Sequence, residues 1–303
     1  MTAFTQWVAI GYKDGRNKPN CEYRSAHHRE TRHCIRRHHV GAGTPHLHSR
    51  EGIMPRANRH YQAGQVWHIT HRCHQRDFLL KFARDRRRWR YWLCRARRRF
   101  GLCVLNDIVT SNHVHLLGYD RGMGEISRGL QLTAGRTAQE YNRRKQRKGA
   151  FWEDRYHATA VESGDHLARC LTYIDLNRVR AGAVAHPGQW PDSGYCELQA
   201  PPQRYGIVDH DALITLLDLS DLPQLQQERR QWVDQTLADE PMQREGHWSE
   251  SLAVGSKAFV TAFQHALGAR TLHRSVDCCS EGSYAWRAPP AAYEPVFPAK
   301  KPG

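Results

Sequence analysis

Between residues 65 and 161 the spacing of apolar side chains switches between the two-residue period of a strand and the roughly 3.6-residue period of a helix. The order of those switches restricts the fold more than any other feature of the chain. Residues 65–73 alternate as a strand, and residues 84–100 read as a helix with Trp89, Leu93, Ala96 and Phe100 near one face. Strand patterns follow over 102–109 and 113–118, then a helix from about 124 to 144 and a strand over 155–161. Strand, helix, strand, strand, helix, strand is the order of a ferredoxin-like or RRM-like α+β domain, an antiparallel sheet with helices packed on it.

One of those strands holds His113-Val114-His115. Side chains alternate faces along a strand, so the two imidazoles project together while Val114 turns into the core. Two imidazoles on one face can share a metal ion, although His-x-His also arises by chance in a chain with 20 histidines. Downstream, residues 167–180 read as a helix whose buried stripe is Leu167, Cys170, Leu171 and Ile174, with Ser163 or Asp165 to cap it and Gly182 to end it. Tyr173 and Asn177 are four apart on this helix and Arg180 is three further on, so a phenol, an amide and a guanidinium share a face. From spacing alone the stronger reading of Tyr173 is a half-buried tyrosine whose hydroxyl finds a hydrogen bond. Tyr141 and Tyr156 lack an amide four residues later on a helix.

At these residues the chain resembles the single-tyrosine HUH transposases, whose strand motif is His-hydrophobic-His and whose nucleophile lies on a later helix. It is most similar to the REP-associated tyrosine transposase branch, over residues 54–57, 61–72, 111–117, 141–144, 149–156, 173–182 and 190–195. The resemblance implies Tyr173 as nucleophile, His113 and His115 as metal ligands, Asn177 as third ligand, and Mg²⁺ or Mn²⁺ as cofactor. It implies cleavage and rejoining of single-stranded DNA beside REP-like hairpin repeats through a covalent 5′-phosphotyrosine, by a monomer, with dimers occurring among insertion-sequence relatives. The family commonly has proline after that asparagine; here it is Arg178, which leaves the helix free to run on. A hairpin-binding protein without catalysis and a metal-dependent phosphodiesterase that uses water are the alternatives.

Charge agrees with a nucleic-acid partner. A net +15 and a pI near 9.7 favour polyanions, with counterion release as the main affinity contribution. Candidate DNA contacts are Arg84, Arg87 and Arg88 on a helix where only Asp85 offsets the arginines, then Arg143, Arg144, Lys145 and Arg155. Arg180 is a candidate phosphate clamp, and Trp152 is either a base-stacking aromatic or a core residue.

Residues 1–53 are basic and His-rich without apolar periodicity, which reads as disorder or a mis-assigned extension, and the resemblance, which starts at Met54, implies that residue as the native first one. Cys21, Cys34, His38 and His39 in that segment fit no zinc-finger spacing. The resemblance implies a catalytic domain over residues 54–200, and 201–275 reads as a helical C-terminal region with helices over 208–219 and 225–237 and a further helix start near Leu252. Residues 276–303, with Pro289, Pro290, Pro298 and Pro302, read as a loose tail. The 9 cysteines form no disulfide framework, and neither a long apolar run nor a signal segment is visible, which reads as a cytoplasmic protein.

Overall fold

The six elements deduced from periodicity form a β-α-β-β-α-β unit: β1 (Val66–Arg72), α1 (Ala83–Phe100), β2 (Cys103–Val109), β3 (His113–Tyr119), α2 (Glu125–Lys145) and β4 (His157–Val161). The computed structural model describes residues 62–203, 205–239, 244–268, 275–280 and 282–287. The expectations for residues 1–53, for Met54 and for the chain beyond residue 287 lie outside the described residues. The strands lie in the order β2-β3-β1-β4 with every neighbour antiparallel, the ferredoxin-like arrangement. Helix α1 buries Trp89, Leu93 and Ala96, as its period predicts, and ends at Gly101, whose left-handed φ of 70° lets its N–H reach the Arg97 carbonyl.

The two faces of the sheet have different chemistry. Trp67, Ile69, Val114, Leu116 and Ala160 point into the layer that holds Trp89, Leu93 and Leu130 of α1 and α2. Their alternates His68, Thr70, His113, His115 and Thr159 lie on the opposite face. On that face packs α3 (Asp165–Asp175), with Leu167, Cys170, Leu171 and Ile174 buried. Gly164 occupies its N-cap and no side chain caps it, so the expected Ser163 or Asp165 cap is not formed. A cap is worth about 1 kcal/mol, whereas burial of each leucine or isoleucine is worth roughly 1.5–3 kcal/mol, so packing holds this helix in place. It does not run through to residue 180: it stops at Leu176 and resumes as the single turn α4 (Asn177–Arg180).

Beyond β4 the sheet continues. β5 (Ser251–Gly255) pairs parallel with β4, then β7 (Ser283–Arg287) and β6 (Ser275–Ser280) follow antiparallel, giving seven strands. Helices α5 (Gly194–Gln199), α6 (His210–Leu216), α7 (Leu222–Ala238), α8 (His247–Glu250) and α9 (Lys257–Leu267) complete the described residues. Two expectations are corrected here. The patch at Leu252 begins in a strand, and the helix starts only after Ser256, whose hydroxyl accepts from the Phe259 N–H. Ser275–Ser280 and Ser283–Arg287 belong to the sheet and not to a loose tail, because Trp286 and Ala285 are fully buried and Trp286 packs edge-on against Phe263. The prolines that suggested a tail come after this hairpin.

Candidate active site

The register between β1 and β3 builds the site. Arg72 lies opposite His113, Thr70 opposite His115 and His68 opposite Leu117, so side chains from both strands emerge side by side on the α3 face. His113 and His115 share that face as their spacing predicts, with ring centroids 5.0 Å apart. Hydrogen bonds hold the His113 ring. Asn112 gives its amide N–H to the Arg76 carbonyl (3.0 Å), which leaves Asn112 Oδ1 to face His113 Nδ1 at 2.8 Å. An amide oxygen only accepts, so Nδ1 carries the proton and Nε2 keeps its lone pair. Burial, and then the charges of Arg72, Arg178 and Arg244, push the His113 pKa down to about 4, so the ring is neutral near pH 7.

Helix α3 brings Tyr173 to the histidines. Its ring is 6.1 Å from His115 and 6.0 Å from His68, edge-on to both, and 6.2 Å from Trp248. Tyr173 is 5% exposed and lines a cavity of about 410 Å³ together with Thr172, Arg180, Trp232 and Glu245. The interruption at Leu176 does not remove Asn177 from the site: its amide nitrogen is 3.1 Å from His115 Nε2. Asp175, between Tyr173 and Asn177, points away and is held by Asn106 and by buried Arg229.

Arg180 does not stand free as a phosphate clamp. Its guanidinium lies 4.2 Å from the centre of the Tyr173 ring and donates to the Tyr173 carbonyl, so it braces the tyrosine. Arg178 packs on Trp190 at 4.4 Å. Its Nε has no hydrogen-bond partner among the described residues. With Arg72 and Arg244 it supplies the positive charge around His113.

The other candidate DNA contacts lie elsewhere. Arg84, Arg87, Arg88, Arg143, Arg144 and Lys145 sit on α1 and α2, across the sheet from Tyr173, and Arg84, Arg88, Arg143 and Arg144 line a cavity of about 440 Å³ there. The expectation that Asp85 alone offsets the α1 arginines is corrected by partners from distant segments. Glu140 takes Arg88 at 2.7 Å, Asp107 and Glu197 take Arg90, and Asp192 takes Arg86, while Asp85 itself pairs with Arg144. Trp152 is a packed residue: its indole N–H donates to the Ala134 carbonyl and its ring stacks on His71 at 4.1 Å. Arg155 is exposed.

Sequence reasoning missed His68, Trp248 and Glu245. His68 is fully buried, with Nδ1 2.7 Å from the Trp248 carbonyl and Nε2 2.9 Å from His115 Nδ1. Its signal was its alternation with Thr70 along β1, which points to this face only once the pairing register is known. Trp248 and Glu245 are more than seventy residues beyond Tyr173 in sequence and carry no local mark.

Among the described residues no group of three His, Cys, Asp or Glu side chains is placed to hold a metal. The donor set that converges here is two imidazoles and an amide: His113, His115 and Asn177. A half-turn of the Asn177 amide exchanges its nitrogen for its oxygen beside His115 Nε2, so the residues fit a divalent ion. Two nitrogen donors suit Mn²⁺ better than Mg²⁺.

Residues 62–177 match the family model described as "Transposase IS200 like". The match ends at Asn177, so α5 to α9 and β5 to β7 lie outside it. Similar solved structures include one described as the REP associates tyrosine transposase bound to a REP hairpin. It is 18% identical, covers 52% of this chain and 94% of that one, and superposes with a TM-score of 0.41. No curated protein matches the chain. Among the described residues no helix is long and apolar enough to cross a membrane.

Proposed function

We propose that this chain, whose residues 62–177 match the IS200-like transposases, is a single-strand DNA transesterase that works through a covalent tyrosine intermediate. The observation that carries the reading is the convergence of Tyr173, His113, His115 and Asn177, from three separate elements, on one face of the sheet. A buried tyrosine beside two neutral imidazoles and an amide is a nucleophile next to a set of metal ligands.

In this reading a divalent ion, Mg²⁺ or Mn²⁺, held by His113, His115 and Asn177, would draw negative charge from the oxygens of the scissile phosphate. The phenol oxygen of Tyr173 attacks phosphorus and gives up its proton to solvent. The bond to the 3′ oxygen breaks, that oxygen takes a proton, and a 5′-phosphotyrosine remains. Attack by another 3′-hydroxyl reverses the step and rejoins strands, with no net loss of phosphodiester bonds and no need for ATP. Arg180 fixes the ring from one side. Arg72, Arg178 and Arg244 set positive charge beside His113, where a phosphodiester would enter. The resemblance in sequence motifs supports DNA flanked by REP-like hairpins as the substrate, and the +15 charge supports a polyanion.

The test is denaturing gel electrophoresis after incubation with Mn²⁺ and labelled single-stranded oligonucleotides that carry the hairpin repeats nearest the gene. Label that migrates with the wild-type protein and not with Tyr173→Phe supports the reading. Cleavage without attachment indicates a phosphodiesterase that uses water, and binding without cleavage indicates a non-catalytic hairpin-binding protein; either refutes it.

A further inference from the structure

The ring of His68 joins the Trp248 backbone to one of the two imidazoles of the site. Its Nδ1 is 2.7 Å from the Trp248 carbonyl and its Nε2 is 2.9 Å from His115 Nδ1. The two rings are 15° from coplanar with centroids 5.0 Å apart, close to the N···N distance plus two ring radii. They therefore meet edge to edge, with the N–H···N bond in the ring planes where the lone pairs point. Both residues are buried, His68 completely, so protein groups determine where the protons sit.

A carbonyl oxygen can only accept, so His68 Nδ1 must carry a proton. A neutral imidazole has one N–H, which leaves His68 Nε2 as an acceptor and obliges His115 to protonate its own Nδ1. The remaining nitrogen of His115, Nε2, then carries a lone pair that faces Asn177. We propose that the Trp248 carbonyl and His68 together set the tautomer of His115, and so keep His115 Nε2 available to a divalent cation. The metal part of this inference rests on the function proposed above; the tautomer part does not.

The relay parallels the arrangement at His113, where the Arg76 carbonyl orients Asn112 and Asn112 Oδ1 accepts a hydrogen bond from His113 Nδ1–H. Each imidazole thus has its outer nitrogen tied to a backbone carbonyl through one intermediary, as metal-binding histidines usually do. The two anchors differ in origin. Arg76 lies inside the segment that matches the transposase family, whereas Trp248 lies in α8, seventy-one residues beyond its end. Trp248 also rests its ring near Tyr173, and its indole N–H donates to Glu245 at 2.9 Å. The C-terminal region is therefore a working part of the site, acting through a main-chain oxygen that no side-chain comparison would detect. His68 is a positioning residue in this scheme and touches no substrate.

The test uses the full chain labelled with ¹⁵N-histidine, free of metal at neutral pH. Two-bond ¹H–¹⁵N correlations report which ring nitrogen of His115 is protonated, with His115→Ala used for assignment. The expected result is His115 protonated at Nδ1 and His68 also at Nδ1. His68→Gln offers an amide N–H to Trp248 and an amide oxygen to His115, and should keep both the tautomer and, within about threefold, the Mn²⁺ affinity read by titration calorimetry. His68→Leu offers neither and should weaken Mn²⁺ binding by about 10–100-fold, the usual range for loss of an outer-sphere partner. His115 protonated at Nε2 in the wild type overturns the proposal, as does a folded His68→Leu that binds Mn²⁺ like the wild type. A wild type that shows the Nδ1 tautomer but binds no Mn²⁺ supports the relay and refutes the metal reading.

Discussion

Replacing Arg229 with methionine tests how the segment between Tyr173 and Asn177 is held. Arg229 and Asp175 are each only 1% exposed as side chains, and Asp175 also accepts from Asn106 at 2.8 Å. Arg229→Met strands a buried carboxylate, at a cost of about 3–5 kcal/mol. It also removes the buried Nη1 donor, which has no partner among the described residues, and this offsets about 1–3 kcal/mol. The net loss is about 2 kcal/mol, roughly 30-fold in the folding equilibrium. Burial raises the Asp175 pKa while Arg229 and Asn106 restrain it, so without Arg229 it rises further. A carboxyl whose folded pKa lies above its unfolded value binds more protons when folded, so its contribution to stability falls as pH rises through that window. Urea unfolding followed by tryptophan fluorescence should therefore show a deficit relative to wild type that is largest at pH 8 and narrows toward pH 5. Asp175→Asn combined with Arg229→Met keeps the Asn106 bond and removes the stranded charge, and should recover to within about 1 kcal/mol of wild type. A deficit independent of pH, or a double variant no more stable than the single one, would refute the reasoning.

Arg180→Ala removes the brace on Tyr173 without touching the imidazoles, and should slow phosphotyrosine formation by about 100-fold while Mn²⁺ affinity stays unchanged. Equal loss of both would instead assign Arg180 to the metal site. The wild type should lose stability in acid: burial lowers the pKa of His68 and, with nearby arginines, that of His113 from 6.5 to about 4. Each then binds fewer protons folded than unfolded, so its contribution is complete above about pH 6.5 and is lost as pH falls toward 4. For His68 the loss amounts to about 3 kcal/mol. A urea midpoint that stays constant from pH 7.5 to 4.5 would contradict this.

The sequence by itself determined what depends on local periodicity. The alternation of His113, Val114 and His115 put two imidazoles on one face, the stripe of Leu167, Cys170, Leu171 and Ile174 put Tyr173 on a helix, and the order of six elements led to the β2-β3-β1-β4 sheet. Each of these follows from the two-residue or roughly 3.6-residue repeat of a single segment. Only the tertiary structure decided which distant groups meet. Strand register put His68 beside His115, the fold brought Glu140, Asp107, Glu197 and Asp192 to arginines of a helix whose one local acid is Asp85, and burial of Trp286 accompanies the pairing of Ser275–Ser280 and Ser283–Arg287 in the sheet. The carbonyl of Trp248 is the extreme case, because every residue has such an oxygen. Nothing in a residue's identity tells which one will be folded against a histidine.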